Sequence, residues 1–145
     1  MHDLPRKLTA PELAVLFEGR TRFVEHLARC DDPLRAAPAL LRTLPEDERI
    51  EALNAHPAIG AGGLSAASAR EQSAGTDGAT LDALVRLNRA YEEKFGFRFV
   101  VFVNGRPKAE ILRVLQERLG RTRTEEVETA VDELVAIAVD RYLRR

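Results

Sequence analysis

Cysteine is nearly absent: the 145-residue chain holds one, Cys30, which excludes an internal disulfide. The three histidines, His2, His26 and His56, lie far apart, and no Cys/His cluster has zinc-ligand spacing. Neither covalent staples nor a bound metal is therefore expected to hold the fold, and a reducing cytoplasm suits the chain. Excess charge is also missing. Its 22 Lys and Arg face 23 Asp and Glu, a formal net of -1, leaving no basic surplus to neutralise a phosphate backbone, so nucleic acid is not an expected partner. No stretch approaches the roughly 18 apolar residues of a membrane helix, and Met1-His2-Asp3-Leu4 lacks the apolar run of a signal peptide. The end Tyr142-Leu143-Arg144-Arg145 is not a Ser-Lys-Leu peroxisomal address. A protein without membrane segments is the expectation.

What remains is ordinary globular material. At 16.1 kDa and 45% hydrophobic residues, the chain suits one domain over residues 1–145, since domains usually take about 100–200 residues. Helical signals dominate. Thr9-Ala10-Pro11-Glu12 reads as a capping box, with Leu13, Phe17, Phe23 and Leu27 forming one inward face of a helix up to Cys30. Shorter helices follow over 34–44 and 46–53, and His56-Pro57 interrupts the pattern because proline disfavours the helical region in the residue before it. Residues 65–72 can make a short helix, Thr80 caps a long one through Phe95, and Gly96 ends it. Pro107 to Leu119 and Thr124 to Leu143 complete the set.

Phe97, Phe99, Val101 and Val103 alternate like a strand, yet no partner strand follows. A lone strand cannot satisfy its backbone, so the expectation is an all-α helical bundle with one short buried extended segment. On the last helix Val127, Val131, Leu134 and Ala138 form a stripe that reaches Arg141 three residues on. That guanidinium is either exposed by fraying of the last turn or aimed at a group that needs it.

His56 is the histidine of most interest. Its proline neighbour is expected to hold it at a rim, although spacing alone leaves open a histidine that caps a helix end. In Ser68-Ala69-Arg70-Glu71-Gln72 a hydroxyl, a carboxylate and a carboxamide share one helical turn, as they also would on any exposed polar helix.

Three ordered blocks carry a more specific signal: Leu53-Asn54-Ala55-His56-Pro57-Ala58-Ile59-Gly60, Ser68-Ala69-Arg70-Glu71-Gln72-Ser73-Ala74-Gly75, and Leu87-Asn88-Arg89-Ala90-Tyr91 through Phe97-Arg98-Phe99-Val100-Val101. Together they resemble the OHCU decarboxylase family, and the likeness covers nearly the whole chain. OHCU is 2-oxo-4-hydroxy-4-carboxy-5-ureidoimidazoline, the intermediate that precedes allantoin in urate degradation. The resemblance implies an all-helical, usually homodimeric enzyme that needs no metal or organic cofactor. It also implies His56 and Glu71 as catalytic residues. Pro57, Ser68, Gln72, the extended segment Phe99, Val100, Val101, Phe102 and Val103, and Arg141 are implied to bind substrate. Arg98 stands where the family commonly has proline, and Gly120-Arg121 replaces an Asn-containing helix exit. The competing classes are a non-catalytic helical module for a purine-like metabolite or partner helix, and a metal-dependent hydrolase. The hydrolase lacks a His-Glu-x-x-His pattern.

Overall fold

The computed structural model describes residues 4–57 and 78–145, in which seven helices and no strand occur. They are α1 (Ala10–Leu16), α2 (Arg22–Leu27), α3 (Pro33–Thr43), α4 (Glu46–Ala55), α5 (Gly78–Phe95), α6 (Lys108–Leu119) and α7 (Arg123–Arg144). The expected all-α class holds. The short helix foreseen over 65–72 falls outside the described residues.

The capping box at Thr9 forms as the sequence predicts: Thr9 N donates to Glu12 Oε1 at 2.9 Å, and Glu12 N to Thr9 Oγ1 at 3.3 Å. The helix that it starts does not continue to Cys30. It stops at Leu16, Glu18 takes a left-handed backbone with φ 65°, and Thr21 caps a separate α2. Leu13, Phe17, Phe23 and Leu27 are nevertheless all buried, because the bend swings both short helices onto the same core.

The long α7 packs against α1, α3 and α4, while α5 packs against α6, the two joined through the extended segment. Gly96, at φ 81°, supplies the left-handed residue that ends α5. Two boundaries move: α5 begins at Gly78, so Thr80 lies within it, and the cap of α7 is Thr122 in a second capping box with Glu125. On α5 the inward residues are Leu84, Asn88, Tyr91 and Phe95, whereas Val85 is exposed. Tyr91 forms an aromatic cluster with Phe95, Phe97 and Phe99, ring centroids 4.6–5.8 Å away. Aromatic pairs at such separations add to the area they bury.

The extended segment solves its backbone problem with side chains. Arg98 N donates to Asn54 Oδ1 at 2.8 Å, Arg118 Nη1 to Val100 O at 2.7 Å, and Phe102 N to Glu133 Oε1 at 3.2 Å. Arg106 Nη2 donates to Phe102 O at 2.7 Å and its Nε to Val103 O at 3.2 Å. Helices therefore hold a strand-like stretch without a sheet.

Beneath it lies a buried polar knot that the apolar periodicity did not reveal. Glu126, fully buried, accepts from Tyr91 Oη at 2.6 Å and Arg118 Nε at 2.7 Å, and Arg121 Nη1 pairs with its other oxygen at 3.0 Å. Burial, followed by the bond to Glu126, pushes the Tyr91 hydroxyl pKa up. The Arg118 guanidinium also sits 4.6 Å from the Phe99 ring centroid. One arginine thus joins α6, α7 and the extended segment.

Candidate functional site

His56 occupies the turn that ends α4, at φ -76° and ψ 127°. It was expected at a rim, but the residue is only 8% exposed. The difference has a local cause in Arg98, which follows α5. Its main-chain N–H and its guanidinium both bond Asn54, the latter at Asn54 O over 2.8 Å, and the same Nη1 approaches His56 O at 3.5 Å. A proline at this position has no N–H to donate. Arg98 instead straps the histidine turn against the extended segment, while Pro57 beside it is half-buried.

Arg141 reaches this region from the other end of the chain. It continues the Val131, Leu134 and Ala138 stripe of α7 and is itself 8% exposed, so the frayed, solvated alternative does not apply. Arg141 Nη1 donates to Leu16 O at 3.2 Å, and Nη2 pairs with Glu18 Oε1 at 3.0 Å.

The electrostatics of the three groups are coupled. The His56 pKa falls from 6.5 to about 4, first because burial penalises the imidazolium and then because the Arg141 cation opposes it. Glu18 pushes the other way and Arg98 adds a smaller opposition. Among these residues the ring is neutral near pH 7. Its Nδ1 is buried and has no hydrogen-bond partner among the described residues, an arrangement that is costly unless a further group completes it.

Of the other expected site residues, Phe99, Val100, Val101 and Val103 are buried and Phe102 is half-buried. Among the described residues the main-chain N–H groups of Phe99 and Val101 meet no acceptor, in contrast to those of Arg98 and Phe102. Ser68, Glu71 and Gln72 lie outside the described residues. A cleft of about 870 Å³ between α1, the extended segment and the end of α7 has Leu16, Phe102, Asn104, Arg141, Tyr142 and Arg145 in its walls. His56 does not line it; Arg141 connects the two regions.

His26, the other described histidine, faces Glu48 with Nε2 2.9 Å from its carboxylate at an exposed position. No group of three or more metal-ligating side chains occurs among the described residues, and none of their helices is long and apolar enough to cross a membrane. Glu18 was missed at the sequence level. Its one local signal was the adjacent Gly19, which the helical pattern of the neighbouring residues overrode.

Comparison with known proteins is consistent across sequence and structure. The OHCU decarboxylase family model matches residues 9–143. A uric acid degradation bifunctional protein of Bacillus sp. (strain TB-90) is 35% identical over 107 residues, 70% of this chain; the chain spans about a fifth of that relative, 21% of its length. The 2-oxo-4-hydroxy-4-carboxy-5-ureidoimidazoline decarboxylase of Haloferax volcanii is 28% identical over 131 residues, covering 87% of this chain and 78% of its own. A crystal structure of OHCU decarboxylase in the presence of (S)-allantoin superposes with a TM-score of 0.75 at 27% identity, over 90% of this chain and 93% of that one. An (S)-allantoin synthase gives 0.69 at 26% identity, over 93% and 48% of the two chains.

Proposed function

The chain belongs to the OHCU decarboxylase family, and from that premise we propose that it decarboxylates 2-oxo-4-hydroxy-4-carboxy-5-ureidoimidazoline to (S)-allantoin in urate degradation. The observation that carries the reading is the convergence of a buried, neutral His56, its Nδ1 lacking a partner among the described residues, with a buried arginine.

The substrate's carboxylate and hydroxyl share one ring carbon beside a ring C=N bond. When the carbon–carbon bond breaks, its electron pair flows toward that imine, a ring C=C forms, and the imine nitrogen takes a proton from water. Carbon dioxide leaves. This internal sink supplies the delocalisation for which other decarboxylases recruit a cofactor. The enol that remains must become a ketone. A neutral imidazole suits that step: His56 accepts the hydroxyl proton and returns one to the adjacent ring carbon, fixing its hand. Such acid–base assistance contributes about 10²–10⁴-fold.

In this reading Glu71 works with His56 at the substrate hydroxyl, and Pro57, Ser68 and Gln72 line the ring. Arg141 binds the anion through its planar fork of donors. The N–H groups of Phe99 and Val101, which meet no acceptor among the described residues, support main-chain contacts to the substrate's acceptors. The same proposal takes residues 1–145 as one domain that works as a homodimer in the cytoplasm. Exposed Val15, in the wall of the cleft, and exposed Leu143, in a shallow neighbouring groove that shares Phe102 and Asn104 with it, support an association surface.

The test is direct. Purified protein added to freshly generated OHCU should yield optically active allantoin, followed by circular dichroism. Racemic product at the uncatalysed rate would leave a metabolite-binding module instead.

A further inference from the structure

Glu18 holds a backbone conformation that its residue type disfavours. Its φ of 65° lies in the left-handed region, where a side chain with a β-carbon meets steric opposition and persists only if its surroundings over-determine it. Those surroundings are specific. Leu16 and Glu18, at the end of α1, grip one guanidinium from two sides: Leu16 O accepts from Arg141 Nη1 and Glu18 Oε1 pairs with Nη2. The two charged side chains are 6% and 11% exposed, so neither interaction is diluted by solvent as surface pairs are. The turn also abuts the histidine element, since a β-carbon at Gly19 would touch Ala55 Cβ at 3.7 Å.

We propose that Glu18 is a positioning residue of the decarboxylase site, fixing the Arg141 guanidinium for the substrate's anionic group and balancing that cation beside His56. The inference rests on the reading of Arg141 as the anion-binding residue. A guanidinium recognises a carboxylate through two parallel N–H donors, and its usefulness depends on a fixed plane. A carboxylate on one edge and a carbonyl on the other set that plane before substrate arrives, so less ordering is left to binding. The charges facing His56 among the described residues are Arg141 from α7, Glu18 from the α1–α2 turn and Arg98 from the end of α5. Without Glu18, the two charges that the described residues leave facing the ring, Arg141 and Arg98, are both positive.

Three variants separate this role from a structural one. Glu18→Gln keeps the shape and removes the charge, Glu18→Gly removes the charge and suits the left-handed backbone, and Glu18→Asp keeps the charge. Two readouts are needed: kcat and KM for OHCU, and the nitrogen-15 guanidinium signals of Arg141 at neutral pH, assigned by their loss in Arg141→Lys. Glu18→Gln and Glu18→Gly should both raise KM about tenfold with a smaller change in kcat. They should also collapse the restrained Arg141 signals into those of a freely rotating group, with partial rescue of both readouts by Glu18→Asp. A lower melting temperature with unchanged KM and unchanged Arg141 signals would make Glu18 purely structural and overturn the proposal. So would full activity in Glu18→Gly. If the unmodified protein fails to convert OHCU, the functional reading falls, while the Arg141 spectrum of Glu18→Gln still decides whether Glu18 fixes the guanidinium.

Discussion

Arg118 donates from Nη1 to the main-chain oxygen of Val100 at 2.7 Å, from the last turn of α6 to the middle of a segment with no strand beside it among the described residues. The same guanidinium holds Glu126 through Nε at 2.7 Å. A buried charge pair therefore does for this backbone what a neighbouring strand does in a sheet.

Arg118→Ala should be strongly destabilising. It leaves Glu126 buried beside a lost partner and orphans the Val100 carbonyl, and breaking a buried pair from one side costs about 3–5 kcal/mol. Arg121, more exposed, retains only part of the compensation. Urea unfolding should record the loss, and a change under 1 kcal/mol would mean that the pair contributes little.

His56 predicts a stability slope in acid. Its folded pKa of about 4 lies below the ordinary 6.5, so the folded state binds fewer protons than the unfolded one. The stabilisation is complete above pH 6.5 and disappears as pH falls toward 4, by roughly 3 kcal/mol in total. His56→Gln should flatten that part of the curve. Identical pH dependence in both proteins would contradict the buried, neutral ring.

Arg141→Lys should weaken substrate binding by about 1.5–3 kcal/mol, because one ammonium cannot reproduce a planar charged contact. Stability should fall as well, by about 1–3 kcal/mol, since a single nitrogen cannot serve Leu16 O and Glu18 in their present geometry. Steady-state KM for OHCU and thermal melting separate the two effects; an unchanged KM would remove Arg141 from the binding site.

Glu71→Gln should lower kcat more than it raises KM, as expected for a group that acts on the reacting hydroxyl. Turnover should survive exhaustive chelation and dialysis, because the electron sink is in the substrate ring. A variant that loses only affinity would make Glu71 a binding group, and metal rescue after chelation would bring back the hydrolase class.

Local chemistry was readable where the partners are close in the chain. Thr9 and Glu12 form their capping box three residues apart, and Gly96 ends α5 with the positive φ that glycine permits. The inward stripe of α7 led to Arg141 for the same reason, since helical spacing repeats whatever the helix packs on. The failures share the opposite property. Glu18 ends the first helical stretch in company with a residue near the far end of the chain, so the adjacent Gly19 was the sole local sign of the break and nothing nearby pointed to Arg141. Glu126 is, by its local sequence, one more acidic residue of a first helical turn; its partners Tyr91 and Arg118 stand 35 and 8 residues away. The alternation of residues 97–103 described an extended backbone correctly, but Asn54, Arg106, Arg118 and Glu133, which hold it, obey no common period.

The bond from Arg141 to Leu16 O spans 125 positions, and that distance has a bearing on synthesis. Closing so long a loop costs entropy that only the packed helices repay. Translation proceeds from the N-terminus, so His56, Glu18 and most of the core leave the ribosome before Arg141 is added. A nascent chain arrested before Arg141 can hold formed helices and still lack the guanidinium that pairs with Glu18, and the proposed site is complete only when the last helix docks.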